Sequence, residues 1–272
     1  MPNHPKNWTR LPDVSSDVEG FELGVAARSS SIMDGVDWLF DAGNKRFALR
    51  YDGQPAAETV THWLADLILP QLMAHEGHFV LHCGTVSCPR GALGFIGPSG
   101  HGKSTLTASL HQRGLNLISD DAVVLSQNGQ TLKAERLYPS LRLFPDSIDL
   151  MFPNIGSTTP VAEYTDKRHV TFAPGPASAP LIALFRLADP SDDIHISRLT
   201  LADACIALIA NSFALDPADP TEAKRRFAES SKVARQIAVY DLHYPRDYGV
   251  LSEVHELIFK TVGLDYPEPP LA

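Results

Sequence analysis

Residues 97–104 read GPSGHGKS, and no other stretch of the chain restricts its fold so strongly. Gly97, Gly102, Lys103 and Ser104 satisfy the pattern G-x-x-x-x-G-K-[ST], which chance alone supplies in roughly one chain per hundred of this length. The flanks sharpen the match. ALGFIG at 92–97 is an apolar strand bounded by glycines, and STLTASLHQRG is an amphipathic helix closed by Gly114. Strand, loop and helix in that order are what phosphate binding requires. Glycines let successive backbone N–H groups turn inward onto phosphate oxygens, and the new helix adds the positive end of its dipole. Pro98, Ser99, Gly100 and His101 complete the loop, and Thr105 follows in the first helical turn. Lys103 is suited to neutralising β- and γ-phosphate charge, and the Ser104 hydroxyl to ligating Mg²⁺. ATP and Mg²⁺ are therefore the expected ligands.

The remaining composition narrows the class. With 272 residues, 44% hydrophobic and 20% charged, the chain suits one large domain or one core with a smaller appendage. A net charge of −9 argues against wrapping a nucleic-acid backbone. No apolar run approaches the roughly 20 residues that span a bilayer. The opening MPNHPKNWTRLPDVSSD lacks the apolar core of a signal peptide. Cys83, Cys88 and Cys205 have no zinc spacing and fit buried reduced thiols, with a Cys83–Cys88 disulfide as the alternative. These features predict a soluble cytoplasmic protein with no nucleic-acid or membrane partner.

Two regions follow from the pattern along the chain. Residues 1–77 form an appendage: a polar start to about residue 20, short strands in FELGVAA, VDWLF and KRFALRY, then a helix over 57–77 that Pro70 ends or kinks. Residues 78–272 form the catalytic domain. HFVLHCGTVS is a strand and CPRG a turn before the phosphate loop. LNLIS is a short buried strand, and Asn128-Gly129 between alternating apolar residues marks a hairpin. A Gly/Ser/Thr/Pro-rich loop at about 153–166 leads through TDKRHVTF to the strand LIALFRLA. Helices at about 200–214 and 220–236, the strand IAVYDLHY and the helix YGVLSEVHELIFKTVG complete the domain.

LNLIS ends in Asp120 and Asp121, on a strand expected beside the phosphate-loop strand. Adjacent carboxylates repel, and burying both without a cation is costly. Beside Mg²⁺ and Lys103 the pair makes chemical sense: one carboxylate holds the metal or its waters, and the other takes a proton from an attacking hydroxyl. The bland alternative is an acidic turn that opens the hairpin.

The stretch GFIGPSGHGKSTLTASLHQRGLNLISDD resembles the catalytic core of the HPr kinase/phosphorylase family. In that family a histidine lies fifteen positions ahead of the first loop glycine, and His82 occupies that position here. The match runs without a gap from His82 to Asp121 and is good over about 78–125. The resemblance implies an α/β fold of the P-loop, HPr-kinase-like and PEP-carboxykinase-like kind, with a twisted mixed sheet flanked by helices and a small α+β N-terminal appendage. It implies that Asp121 is the base that deprotonates a serine hydroxyl, that Asp120 helps position metal, and that His82 lies near Asp121 and the transferred phosphate. The layout looks more like the shorter relatives encoded with lasso-peptide and other ribosomal-peptide pathways. Leu81-His82-Cys83-Gly84-Thr85-Val86 matches their L-H-x-G-T-V stretch, and Pro139 to Asp146, PSLRLFPD, their P-x-x-R-L-[WF]-P-D-like segment. The acceptor implied is a serine near the C-terminus of a precursor peptide. The segments that serve the reverse phosphorylase reaction, and HPr as substrate, are not matched. HPr kinases assemble into rings, so a homo-oligomer is a further expectation.

Three basic features remain. Lys167 and Arg168 follow a flexible loop and either close over phosphate or stay solvated. Arg142 either points a guanidinium into the site or pairs with Asp146. AKRRF at 223–227 reads as a solvated helix face. A phosphate loop does not specify the acceptor, so a kinase of a small-molecule hydroxyl and a non-catalytic nucleotide-binding regulator stand as alternatives. The acidic pair so close behind the loop favours hydroxyl activation.

Overall fold

The structure is a computed structural model that describes residues 27–33, 36–41, 46–51, 53–138, 140–173 and 175–266. The polar start, most of FELGVAA, and Pro139 lie outside the described residues. Three antiparallel strands, β1 (Ala27–Met33), β2 (Val36–Asp41) and β3 (Arg46–Tyr51), form a meander. β1 was not legible because ARSSSIM lacks the alternation of a half-buried strand. Trp38 and Leu49 of this meander pack against Trp63 and Ile68. Those two belong to one helical run, made of α1 (Ala57–His62), a π-helical stretch (Trp63–Ile68) and α2 (Leu69–His75). Pro70 neither ends nor sharply breaks this run. A proline ring crowds the carbonyl four residues back, here that of Asp66, and the wider π turn just ahead of Pro70 relieves the crowding.

A nine-stranded mixed sheet carries the larger core. Its strands are β4 (Phe79–Leu81), β5 (Cys83–Cys88), β6 (Gly91–Ile96), β7 (Asn116–Ser119), β8 (Val123–Asn128), β9 (Thr131–Arg136), β13 (Ser178–Leu187), β14 (His195–Arg198) and β15 (Ala238–His243). β13 gives the sheet its branch. Its first residues pair antiparallel with β9, and its later ones pair parallel with both β6 and β15. β6 is buried along its whole length, as expected of a strand covered on both faces. On one face lie α3 (Lys103–Gln112) and α7 (Leu251–Thr261), where Leu106, Leu110, Ile258 and Phe259 meet Phe95 and Phe185. On the other, Leu208 of α5 (Leu201–Ala210) and Val233 of α6 (Pro220–Gln236) meet Ile96 and Leu184. Asp219 caps α6 by accepting from the N–H groups of Thr221 and Glu222, with Pro220 just inside. A third, antiparallel sheet of β10 (Ser140–Leu143), β11 (Thr159–Ala162) and β12 (Thr165–Thr171) stands in the order β10-β12-β11, with α4 (Pro145–Met151) following β10.

Several expectations need correction. HFVLHCGTVS is two strands, broken at His82, because β4 pairs with β8 while β5 pairs with β6 and β7. β7 lies beside β5 and not beside the phosphate-loop strand, since the β5–β6 hairpin places β5 between them. The β8–β9 hairpin turns on Gly129-Gln130, one residue later than Asn128-Gly129 suggests. Gly129 has φ +60° and Asn128 pairs with Thr131, so glycine takes the first turn position, as in II′ hairpins. In AKRRF, Arg225 donates to the carbonyls of Ala74 and His75, and Arg226 to Ser212 and Ile209. These two arginines tie α6 to its neighbours, so the face is only partly solvated. The three cysteines are free thiols, and burial pushes Cys83 up to about 11. Among the described residues no helix is long and apolar enough to cross a membrane.

Candidate active site

The loop expected to cradle phosphate joins β6 to α3. Gly102 caps α3 with φ +87°, a left-handed conformation that most side chains would strain. Lys103 is buried, and its Nζ donates to the carbonyls of Gly97 at 2.8 Å and Pro98 at 3.0 Å. Two of its three donor hydrogens are thus held by the loop itself, which fixes the ammonium above the loop floor. Burial lowers the Lys103 pKa, while the charges of Asp121 and Asp120 oppose that. The loop is anchored from behind by Asn211. Its Oδ1 accepts from the Gly97 N–H at 2.9 Å, and its carbonyl accepts from the His82 N–H at 2.7 Å. Ser99, Gly100, Gly102, Lys103, Ser104 and Thr105 line a cleft, while Gly97 and Pro98 act through the carbonyls that hold Lys103. The His101 N–H donates to the Pro98 carbonyl within the loop.

The two aspartates have opposite environments. Asp120 is wholly buried; its Oδ1 accepts from Ser104 Oγ at 3.1 Å and its Oδ2 from the Arg142 N–H at 3.1 Å. Burial and the neighbouring Asp121 charge push it up to about 6, against the pull of Arg142 and Ser104. Asp121 keeps 24% side-chain exposure and faces the cleft. Burial would raise its pKa, but the Arg142 guanidinium and His82 outweigh that and hold it well below the usual carboxylate range. His82 Nε2 lies 3.2 Å from its Oδ1, and Arg142 Nη2 is ion-paired with its Oδ2. Outside the glycines, Asp121 alone among the described residues has positive φ, +60°, and the Ala122 N–H donates to the Asp120 carbonyl across it. That is a tight, strained γ-turn, which turns Asp120 inward and Asp121 outward from adjacent positions.

Arg142 takes the first of its two sequence-level alternatives. It points into the site and does not pair with Asp146, which instead accepts from the Tyr248 hydroxyl. Besides Asp121 it binds Asp66, whose Oδ2 lies 2.6 Å from Nη1; that same oxygen lies 2.6 Å from His62 Nδ1. The basic pair at 167–168 splits, as alternation along β12 requires. Lys167 lines the cleft, 5.4 Å from the centre of the Phe144 ring. Arg168 is engaged elsewhere: its Nε donates to Thr158 Oγ1 at 2.5 Å and its Nη2 to the Thr158 carbonyl at 2.8 Å. Arg168 thus ties the loop before β11 to β12.

The cleft has two chambers with a common wall. The loop chamber carries the residues between Ser99 and Thr105 named above together with His82, Asp121, Arg142, Phe144 and Lys167. The adjoining chamber shares His82, Ser99, Asp121, Arg142 and Lys167, and is completed chiefly by Asp66, Val161, Tyr164 and Phe213. Phe213 stacks on His82 at 6.0 Å between ring centres. The residues that sequence reasoning missed are His62, Asp66, Asn211 and Phe213. Asp66 alone carried a signal, a lone aspartate inside the apolar run WLADLILP.

Ser104 and Asp120 fit Mg²⁺. A hydroxyl and a carboxylate oxygen stand side by side, the hard donors this ion prefers, and the buried carboxylate is short of positive charge. No group of three or more His, Cys, Asp or Glu side chains forms a metal cage among the described residues. Mg²⁺ needs none, because it keeps waters and substrate phosphates as ligands.

No protein-family model matches the chain, and no curated protein matches it. Among solved structures, the chain is similar to the Hpr(Ser) kinase/phosphatase from Coxiella burnetii, with a TM-score of 0.35 and 12% identity over 67% of this chain and 95% of that one.

Proposed function

We propose that the chain is a Mg²⁺-dependent kinase that transfers the γ-phosphate of ATP to a serine hydroxyl of a peptide or small protein. One observation carries the reading: His82, Asp121, Arg142 and Lys167 form a wall common to the phosphate-loop chamber and its neighbour. A donor phosphate in one chamber and an acceptor hydroxyl in the other would meet at Asp121.

The chemistry follows from the side chains. The acceptor oxygen attacks the γ-phosphorus while its proton passes to the Asp121 carboxylate. The bond from γ-phosphorus to the β–γ bridging oxygen breaks, and its electron pair leaves with ADP. His82 and Arg142 grip different oxygens of Asp121 and so fix the plane of the carboxylate. Lys103, which lines the loop chamber, would balance the charge that grows on the phosphate oxygens. Mg²⁺, held by Ser104 and Asp120, would neutralise phosphate charge in the same chamber. Lys167 lines both chambers and would cover the transferred group.

The acceptor we propose is a serine of a ribosomally made precursor peptide of the lasso type. It rests on the L-H-x-G-T-V stretch at 81–86 and the PSLRLFPD segment, whose arginine is the Arg142 that grips Asp121. Incubation with labelled ATP, Mg²⁺ and synthetic precursor peptides, followed by mass mapping, tests it. Phosphoserine on the peptide is the expected result. ATP consumption with label only on small hydroxyl compounds would replace the peptide reading, and no transfer to any acceptor would end the kinase reading.

A further inference from the structure

We infer that Asp66, carried by the π-helical stretch before Pro70, is a positioning residue of the transfer site: it holds Arg142, which in turn holds Asp121. The inference rests on the kinase reading for its rate measurements only. Its geometric content, a guanidinium clamped between two carboxylates, stands independently.

Arg142 is 4% exposed and Asp66 is 9% exposed. A guanidinium so buried must be paired, because an isolated buried charge is strongly unfavourable. Each terminal nitrogen serves a different carboxylate, Nη1 with Asp66 and Nη2 with Asp121. With Asp66 in place the planar guanidinium fork cannot turn, so Nη2 stays on one oxygen of Asp121 and the other oxygen stays with His82. With Asp66 removed, the fork is free to grip Asp121 with both nitrogens or to turn toward the buried Asp120. Either movement disturbs the carboxylate that receives the proton.

The local structure of Asp66 points the same way. It sits four residues before Pro70, at the position whose carbonyl a proline ring crowds, and the backbone there forms a π turn. Such turns are rare and recur at functional sites. His62, one helical turn earlier, orients the carboxylate at 2.6 Å. The whole series His62, Asp66, Arg142, Asp121 and His82 lines one chamber, although its members come from four separate segments. An apolar group at 66 alone would leave the buried Arg142 guanidinium short of one carboxylate, so the role of Asp66 is read on a variant that keeps its shape.

The test uses the full chain and two kinds of readout. Asp66→Asn should lower kcat for peptide phosphorylation by about tenfold or more, with ATP affinity within about twofold of the original. Asp66→Glu, which keeps the charge, should recover most of the rate. Arg142→Lys combined with Asp66→Asn should be no slower than Arg142→Lys alone, because Asp66 acts through Arg142. Independently of activity, nitrogen NMR of the Arg142 guanidinium should show hindered rotation in the original chain and free rotation in Asp66→Asn. Unchanged kcat, additive losses in the double variant, or an unchanged guanidinium spectrum would overturn the proposal. Should Asp66→Asn fail to fold, His62→Asn frees Asp66 from its orienting ring and is read in the same ways. A chain that transfers no phosphate at all would defeat the kinase reading, and the guanidinium spectrum would still decide the clamp.

Discussion

Asp120 and Asp121 are neighbours with the same side chain, yet their surroundings differ across a single strained backbone position. The positive φ at Asp121 sends one carboxylate under α3, where Ser104 and the Arg142 N–H receive it, and the other into the cleft. Such a conformation costs a non-glycine residue of order 1–3 kcal/mol, and the ion pair to Arg142 helps to offset it. Asp121→Asn should reduce phosphate transfer by about 10²–10⁴-fold, the usual contribution of a general base, while leaving ATP affinity nearly unchanged. Single-turnover transfer and equilibrium ATP binding, measured on the same sample, separate the two effects. Wild-type transfer by this variant would remove Asp121 from the base role. The pair was legible in the sequence because SDD follows a buried strand at a fixed distance from the loop. The sorting into buried and facing carboxylates was not legible, since it depends on a dihedral angle and on Arg142, twenty-one residues after Asp121.

Elements with strong local signals were readable, and those defined by pairing were not. β6, α3, the β8–β9 hairpin and α6 each announce themselves through periodicity, turn residues or caps. The break at His82 has no local signature, because it arises where the strand passes from one partner set to another and Asn211 receives its N–H. Likewise the separation of β7 from β6 follows from the β5–β6 hairpin and not from the composition of β7. At Gly84 β5 comes into close approach with α3. A Cβ at this position would lie 2.3 Å from Thr107 Oγ1 and 3.5 Å from Asp120 Oδ1. Thr107 is wholly buried on α3, so it cannot swing away. Gly84→Ala should therefore lower stability by about 1–3 kcal/mol, as overpacking of a filled core does. Urea unfolding measures this, and a midpoint equal to that of the original chain would contradict the close approach.

At the scale of the whole molecule, the site and the core are probed through different solution variables. On the proposed function, Ser104 and Asp120 are the candidate metal ligands among the described residues, so Mg²⁺ and ATP should stabilise the fold jointly. Thermal unfolding should show a larger rise with both together than the two separate rises combined, and EDTA should remove the excess. At about a hundred times its dissociation constant, a bound ligand adds about 2.7 kcal/mol. Protons act on the site through Asp120 and on the core through His255, buried between α3 and α7. Its Nε2 lies 2.8 Å from Ser109 Oγ and its Nδ1 lies 3.2 Å from the Tyr266 hydroxyl. Burial, aided by the Arg113 charge, pushes this imidazole down to about 4 from the ordinary 6.5. Unfolding restores the ordinary value, so between pH 6.5 and 4 the unfolded chain binds the proton that the folded chain refuses. The contribution is present above pH 6.5 and is lost as the pH falls through that window, by about 3 kcal/mol when complete. His255→Gln, which can keep one hydrogen bond but does not titrate, should flatten that part of the curve. Denaturant unfolding of both chains from pH 7.5 to 4 provides the comparison, and parallel curves would show that His255 is not the group that makes the helix-covered core sensitive to acid.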